Sequence, residues 1–205
     1  LLLVALVFAV GDWVARLRKR ARLEYLCKPA ALLALMGAAV ALSPASGLAT
    51  RRWWFVAALV FSLVGDVLLM LPAELFVAGL AAFLVGHLCY LAGFWTEPPG
   101  SFALGVAAVV VVTVVAPVAA AIVRALRGRG VLLVAVVLYI VVISAMLATA
   151  LASGNVVAGV GATLFVSSDA MIAWNRFVRP LPGADVGIMV SYHLGQAALV
   201  LSLWR

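Results

Sequence analysis

Eight apolar runs follow one another along this chain, at about residues 1–17, 27–43, 53–71, 75–95, 102–123, 131–152, 156–177 and 184–204, each close to the length that crosses a lipid bilayer as a helix. The connections between them, such as LPAE (71–74), TEPPGS (96–101) and ASGN (152–155), are too short to hold an extramembrane domain. With 68% hydrophobic and only 10% charged residues, too few polar side chains remain to coat a water-soluble globule. Inside a bilayer every backbone polar group must be satisfied within its own segment, which leaves helices for runs of this length. The expected architecture is therefore all-α, a polytopic integral membrane protein folded as one bundle of eight transmembrane helices over residues 1–205.

Lys and Arg number 14 against 7 Asp and Glu, and their positions matter more than the excess. Eleven fall on the side of the odd-numbered connections, with Arg51, Arg52 and Arg205 on the other. The positive-inside rule puts the eleven in the cytoplasm and both termini outside it. The excess thus serves orientation, and no nucleic-acid partner is expected. The opening run leads into Arg16, Arg18, Lys19, Arg20 and Arg22 with no basic segment before it, which argues against a secretory signal. It reads instead as a first spanning helix shortened by missing N-terminal residues. Cys27 and Cys89 lie in or beside apolar runs and suggest neither a disulfide framework nor a zinc site.

Two aspartates stand where charge is expensive. Asp66 lies in LVGDVLLML, and Asp169 in GATLFVSSDAMIAWNR. A carboxylate deep in a spanning helix is penalised by at least about 2.5 kcal/mol and usually marks function. Each lies roughly 9–12 Å, at 1.5 Å per residue, from the cytoplasmic end of its helix. Tyr139, Tyr192, His87, Lys28 and Asp12 fall in the same half of the bundle, and this convergence predicts one cavity open toward the inner leaflet. His87 and Tyr90 share a helix face, as do Tyr192 and Gln196.

Plainer readings stand beside these. Asp12 and Arg16 are spaced as an i,i+4 ion pair, and so are Glu24 and Lys28. Lys28 could alternatively meet a lipid phosphate at the cavity mouth, held by Pro29 at the start of its helix. Gly79, Gly86 and Gly93 recur at seven-residue intervals and read as a packing seam. Pro117 is expected to kink the fifth helix. Ser167 and Ser168 lack a nucleophile elbow and are expected to hydrogen-bond Asp169. A faint echo pairs Asp66 and His87 with Asp169 and His193. The histidines and aspartates come from four helices without metal-type spacing, so no metal is expected.

These motifs, taken in order, resemble the YhhN-like lysoplasmalogenase family of eight-span membrane proteins. The matching stretches are Lys28-Pro29, Gly65-Asp66, FLVGHLCY (83–90), Tyr139 with Met146, GATLFVSSD (161–169) and SYHLGQ (191–196). The resemblance runs from about residue 28 to 204, and His193 and Asp12 lie outside its pattern. It implies hydrolysis of the vinyl ether bond of lysoplasmalogens, lysophospholipids with a choline or ethanolamine head group, to a fatty aldehyde and a glycerophospho-alcohol. For a bacterial member it implies the inner, cytoplasmic membrane, with membrane lipids around the chain and a lysophospholipid as substrate.

The residues suit that reaction. A vinyl ether hydrolyses when its terminal alkene carbon is protonated, giving an oxocarbenium ion that water attacks, so the site needs one acid and one anion. Asp66 and Asp169 are expected to be that catalytic pair, with Lys28, His87, Tyr90, Tyr139, Ser168, Tyr192 and Gln196 binding substrate and water, and with no cofactor. A proton-coupled transporter of a small amphiphile and a non-catalytic lipid sensor are the alternatives. Transporters tend toward inverted repeats and midplane sites, whereas the polar set here lies off-centre.

Overall fold

Each apolar run forms a helix. The computed structural model describes residues 1–71 and 75–204; Pro72, Ala73 and Glu74 of the LPAE connection, and the outer cation Arg205, lie outside the described residues. Among the described residues the helices are α1 (Leu2–Leu17), α2 (Ala21–Ala41), α3 (Ala49–Met70), α4 (Phe76–Phe94), α5 (Ser101–Ala125), α6 (Gly130–Ala152), α7 (Val156–Phe177) and α8 (Ala184–Leu201), followed by a 3-10 turn at Ser202–Trp204. Seven are long and apolar enough to cross a membrane, and the chain is an all-α integral membrane protein. The 16-residue α1 is shorter.

One boundary differs in a way that matters. The second helix starts at Ala21, not near residue 27, because Arg18–Arg20 alone turn the chain, with Lys19 at φ 50. Lys28 and Pro29 therefore sit about two turns inside α2 rather than at its mouth. Pro29 has no N–H to offer Tyr25, so the helix forgoes one backbone bond there. Pro117 likewise lies within α5, which remains a single helix from Ser101 to Ala125.

Helices α1, α2, α3, α4, α6, α7 and α8 contact one another in that order, and α8 returns to α1 to close a ring. Helix α5 packs outside it against α6 and α7. The tightest approaches need glycine. A Cβ on Gly86 would lie 3.2 Å from the Ala58 carbonyl oxygen, so the glycine seam of α4 lets α3 come close. Between α7 and α8, a Cβ on Gly161 would lie 2.9 Å from the Leu199 nitrogen, and one on Gly195 would lie 2.9 Å from the Gly161 oxygen.

Candidate functional site

Two polar knots are tied inside the ring. In the first, Lys28 Nζ of α2 lies 2.8 Å from Asp66 Oδ1 of α3, and Tyr192 Oη of α8 donates to Asp66 Oδ2 at 2.8 Å. The side chains of Lys28 and Asp66 are only 4% and 1% exposed, so each ion depends on the other rather than on water. The expected local pairings give way to this one. Glu24 bonds Arg16 at 2.5 Å instead of Lys28, and Asp12, which spacing matched to Arg16, is wholly buried, with neither oxygen hydrogen-bonded among the described residues. Glu24 is taken up by Arg16 nearer the surface, while Lys28, buried, meets Asp66, buried beside it, where attraction between charges is stronger than in water.

The second knot joins α4, α6 and α7. Tyr139 Oη donates to Asp169 Oδ2 at 2.5 Å, and His87 Nε2 lies 2.8 Å from Tyr139 Oη and 3.1 Å from the same Asp169 oxygen. Among the described residues His87 Nδ1 has no hydrogen-bond partner. Both of these bonds to Asp169 fall on Oδ2, and among the described residues none falls on Oδ1. This carboxyl is also less enclosed than Asp66, with its side chain 13% exposed.

Aromatic rings separate the knots. Phe165, one turn before Asp169 on α7, meets His87 edge to face at 4.7 Å between centroids and Tyr192 at 5.4 Å. Phe83 of α4 stands 6.0 Å from Tyr192 and 6.5 Å from Phe165. Tyr90 donates to Gln196 Oε1, a polar link apart from both knots that joins α4 to α8, and among the described residues Gln196 Nε2 has no hydrogen-bond partner. The sequence picks out the polar members but not the two phenylalanines, which resemble any other core residue. The available signal is spacing, since Phe83, His87 and Tyr90 recur at i, i+4 and i+7 on one face of α4.

A cavity of about 80 Å³ opens among α4, α5, α6 and α7. Asp169 and Tyr139 line it, together with Phe83 and alkyl side chains such as Val115, Ile143 and Val166. Its volume accommodates a few water molecules. Asp66, Lys28 and Tyr192 do not line it, so the two carboxylates expected in one hollow lie on either side of an aromatic wall. A carboxyl hydrogen-bonded on one oxygen only, at the edge of an apolar chamber, can pass a proton to a substrate atom. The other carboxyl, held on one oxygen by an ammonium and on the other by a phenol, has no free oxygen to offer a substrate.

The remaining candidates take structural positions. Ser168 donates to the Ile188 carbonyl at 3.0 Å and Ser167 to the Thr163 carbonyl at 2.8 Å, so neither bonds Asp169. His193 accepts from Trp13 Nε1 at 3.1 Å, an α1–α8 link remote in kind from His87 with its carboxylate partner. Among the described residues no group of three or more His, Cys, Asp or Glu could hold a metal ion.

The YhhN family pattern matches residues 23–203. Human lysoplasmalogenase TMEM86B is 37% identical over 196 residues, covering 95% of this chain and 77% of the human protein. Its mouse counterpart is 34% identical over the same shares of both chains. Lysoplasmalogenase of Mycobacterium tuberculosis is 33% identical over 85% of this chain and 62% of its own length. No solved structure matches.

Proposed function

This chain belongs to the YhhN family, and we propose that it is a membrane-embedded lysoplasmalogenase, hydrolysing the vinyl ether of a lysophospholipid to a fatty aldehyde and a glycerophospho-alcohol. The observation that carries the chemistry is Asp169, bonded through one oxygen to Tyr139 and His87 and bordering an apolar cavity. The vinyl ether end of the substrate reaches that cavity from the bilayer, with the rest of the alkenyl chain remaining among lipid. Asp169 gives its proton to the alkene carbon remote from the ether oxygen; the π pair becomes the new C–H bond, and an oxygen lone pair completes the oxocarbenium ion. Water adds at the adjacent carbon and loses a proton to the Asp169 carboxylate, which restores the acid. The hemiacetal then collapses, the C–O bond to glycerol breaking as the hydroxyl proton is lost and the departing oxygen gains one.

Asp66 acts at one remove, fixing Tyr192 and the wall that Tyr192 backs rather than touching the substrate. Lys28 and Tyr192 hold both of its oxygens, and the carboxyl stands behind the aromatic wall rather than in the cavity. Tyr90 and Gln196 brace α4 against α8, and Ser168 ties α7 to α8, so these residues hold the two knots at a fixed separation. The cavity reaches Ile122, Val136 and Phe177, next to the helix ends that lead to Arg124, Arg127, Arg129, Arg176 and Arg179. The positive-inside rule puts that end in the cytoplasmic half of the membrane, and in a bacterial cell this is the inner membrane.

The deciding assay incubates purified protein in detergent with choline and ethanolamine lysoplasmalogens. Aldehyde and glycerophospho-alcohol should form in equal amounts. Absence of both, or release of fatty acid from acyl lysophospholipids instead, would overturn the proposal.

A further inference from the structure

The cation created in this reaction needs stabilising, and most of the cavity wall is alkyl. Phe83 and Tyr139 are the aromatic rings beside Asp169 there, and Tyr139 is tied through its hydroxyl to Asp169 and His87. Phe83 lies four residues before His87 on the same face of α4, about 6 Å along the axis, and borders the cavity with Asp169 and Tyr139. Its ring is held on several sides. A Cβ on Gly65 would come within 2.6 Å of its Cδ2 and Cε2, so α3 runs directly against it, while Phe165 and Tyr192 meet it edge to face. The other phenylalanines of the cavity are engaged elsewhere. Phe76 carries the Arg176 guanidinium 4.1 Å from its centroid and pairs with Phe177 at 5.6 Å.

An aromatic face attracts a cation through its quadrupole, most strongly where water is excluded, whereas an aliphatic wall offers no such attraction. We infer that Phe83 is a catalytic residue whose ring stabilises the oxocarbenium ion by a cation–π interaction. This rests on the vinyl ether reading above. The ring forms no bond and takes no proton: the proton passes from Asp169 to carbon, and the ring acts only on the positive charge left at the ether oxygen and its neighbouring carbon.

The test replaces Phe83 in the full-length protein with mono-, di- and trifluorophenylalanine, which weaken the quadrupole stepwise while nearly preserving ring size. The kcat for aldehyde release should fall progressively, by about tenfold at the trifluoro ring, equivalent to about 1.4 kcal/mol, with KM unchanged. Phe83→Leu should fall at least as far, and Phe83→Tyr should retain most of the rate. Melting in detergent should be the same across the fluorinated series. A flat kcat in that series, or a rise in KM alone, overturns the role of Phe83 while leaving the hydrolase intact. A wild-type protein that releases no aldehyde overturns the hydrolase reading itself, and this inference with it.

Discussion

Lys28 and Asp66 meet across α2 and α3 with 2.8 Å between ammonium nitrogen and carboxylate oxygen, and neither side chain is more than 4% exposed. Removing one member of such a pair strands the other as an unpaired buried charge, which costs about 3–5 kcal/mol, whereas replacing both by apolar groups of similar volume is often neutral. Lys28→Met should therefore lower unfolding stability in detergent by about that amount. Adding Asp66→Leu should restore most of it. Denaturant midpoints of the two variants provide the check, and a Lys28→Met protein as stable as the parent would show that Asp66 is not held as an ion.

Asp169 makes a different prediction, because its carboxyl borders the cavity instead of being clamped. Asp169→Asn preserves shape and can still accept from Tyr139, so melting should change little. Aldehyde release should fall by at least about a hundredfold, the low end of what a positioned acid contributes. Tyr139→Phe should act in the same direction but less severely, since it removes a donor to Asp169 and leaves the acid in place. Initial rates with a choline lysoplasmalogen measure both. Substantial activity in Asp169→Asn would move the proton donor elsewhere.

The helices were legible in the sequence because a bilayer imposes a length on apolar runs, and so were the polar residues, since buried charge stands out in such runs. Their partners were not. Helical spacing proposes Glu24 for Lys28 and Arg16 for Asp12, yet tertiary packing delivers Asp66 to Lys28 and Glu24 to Arg16. A one-dimensional pattern ranks neighbours on the same helix and is silent about a residue on the next. The aromatic wall was hidden for another reason: Phe83 and Phe165 are typical core residues, and only their position between two polar knots makes them informative.

Ser168 separates a structural role from a binding one. Its hydroxyl is fully buried and donates to the Ile188 carbonyl, so Ser168→Ala leaves a buried acceptor with one donor fewer and should cost about 1 kcal/mol of stability. Ser167 is exposed, and its hydroxyl only bonds back to Thr163 on its own helix, so Ser167→Ala should be close to neutral. KM should be unchanged in both variants. A raised KM with unaltered melting in Ser168→Ala would return this residue to the substrate.

The α7–α8 approach fixes how far Asp169 stands from Tyr192, and Gly161 sets that approach. A methyl group there would lie 2.9 Å from the Leu199 nitrogen, 3.0 Å from the Gly195 oxygen and 3.1 Å from the Ala198 Cβ. Two of these are backbone atoms that cannot yield unless α8 moves as a whole. Overpacking of this kind costs about 1–3 kcal/mol. Because α8 carries Tyr192 and Gln196, the displacement should also loosen the bonds to Asp66 and Tyr90 and reduce kcat. Gly105 on α5 is the control, since nothing lies within 4 Å of a Cβ placed there. Gly105→Ala should leave activity intact and add up to about 1 kcal/mol of stability through helix propensity. Melting curves and turnover of the two variants, measured side by side, decide the matter: equal tolerance at both positions would mean that the α7–α8 contact is looser than its geometry requires.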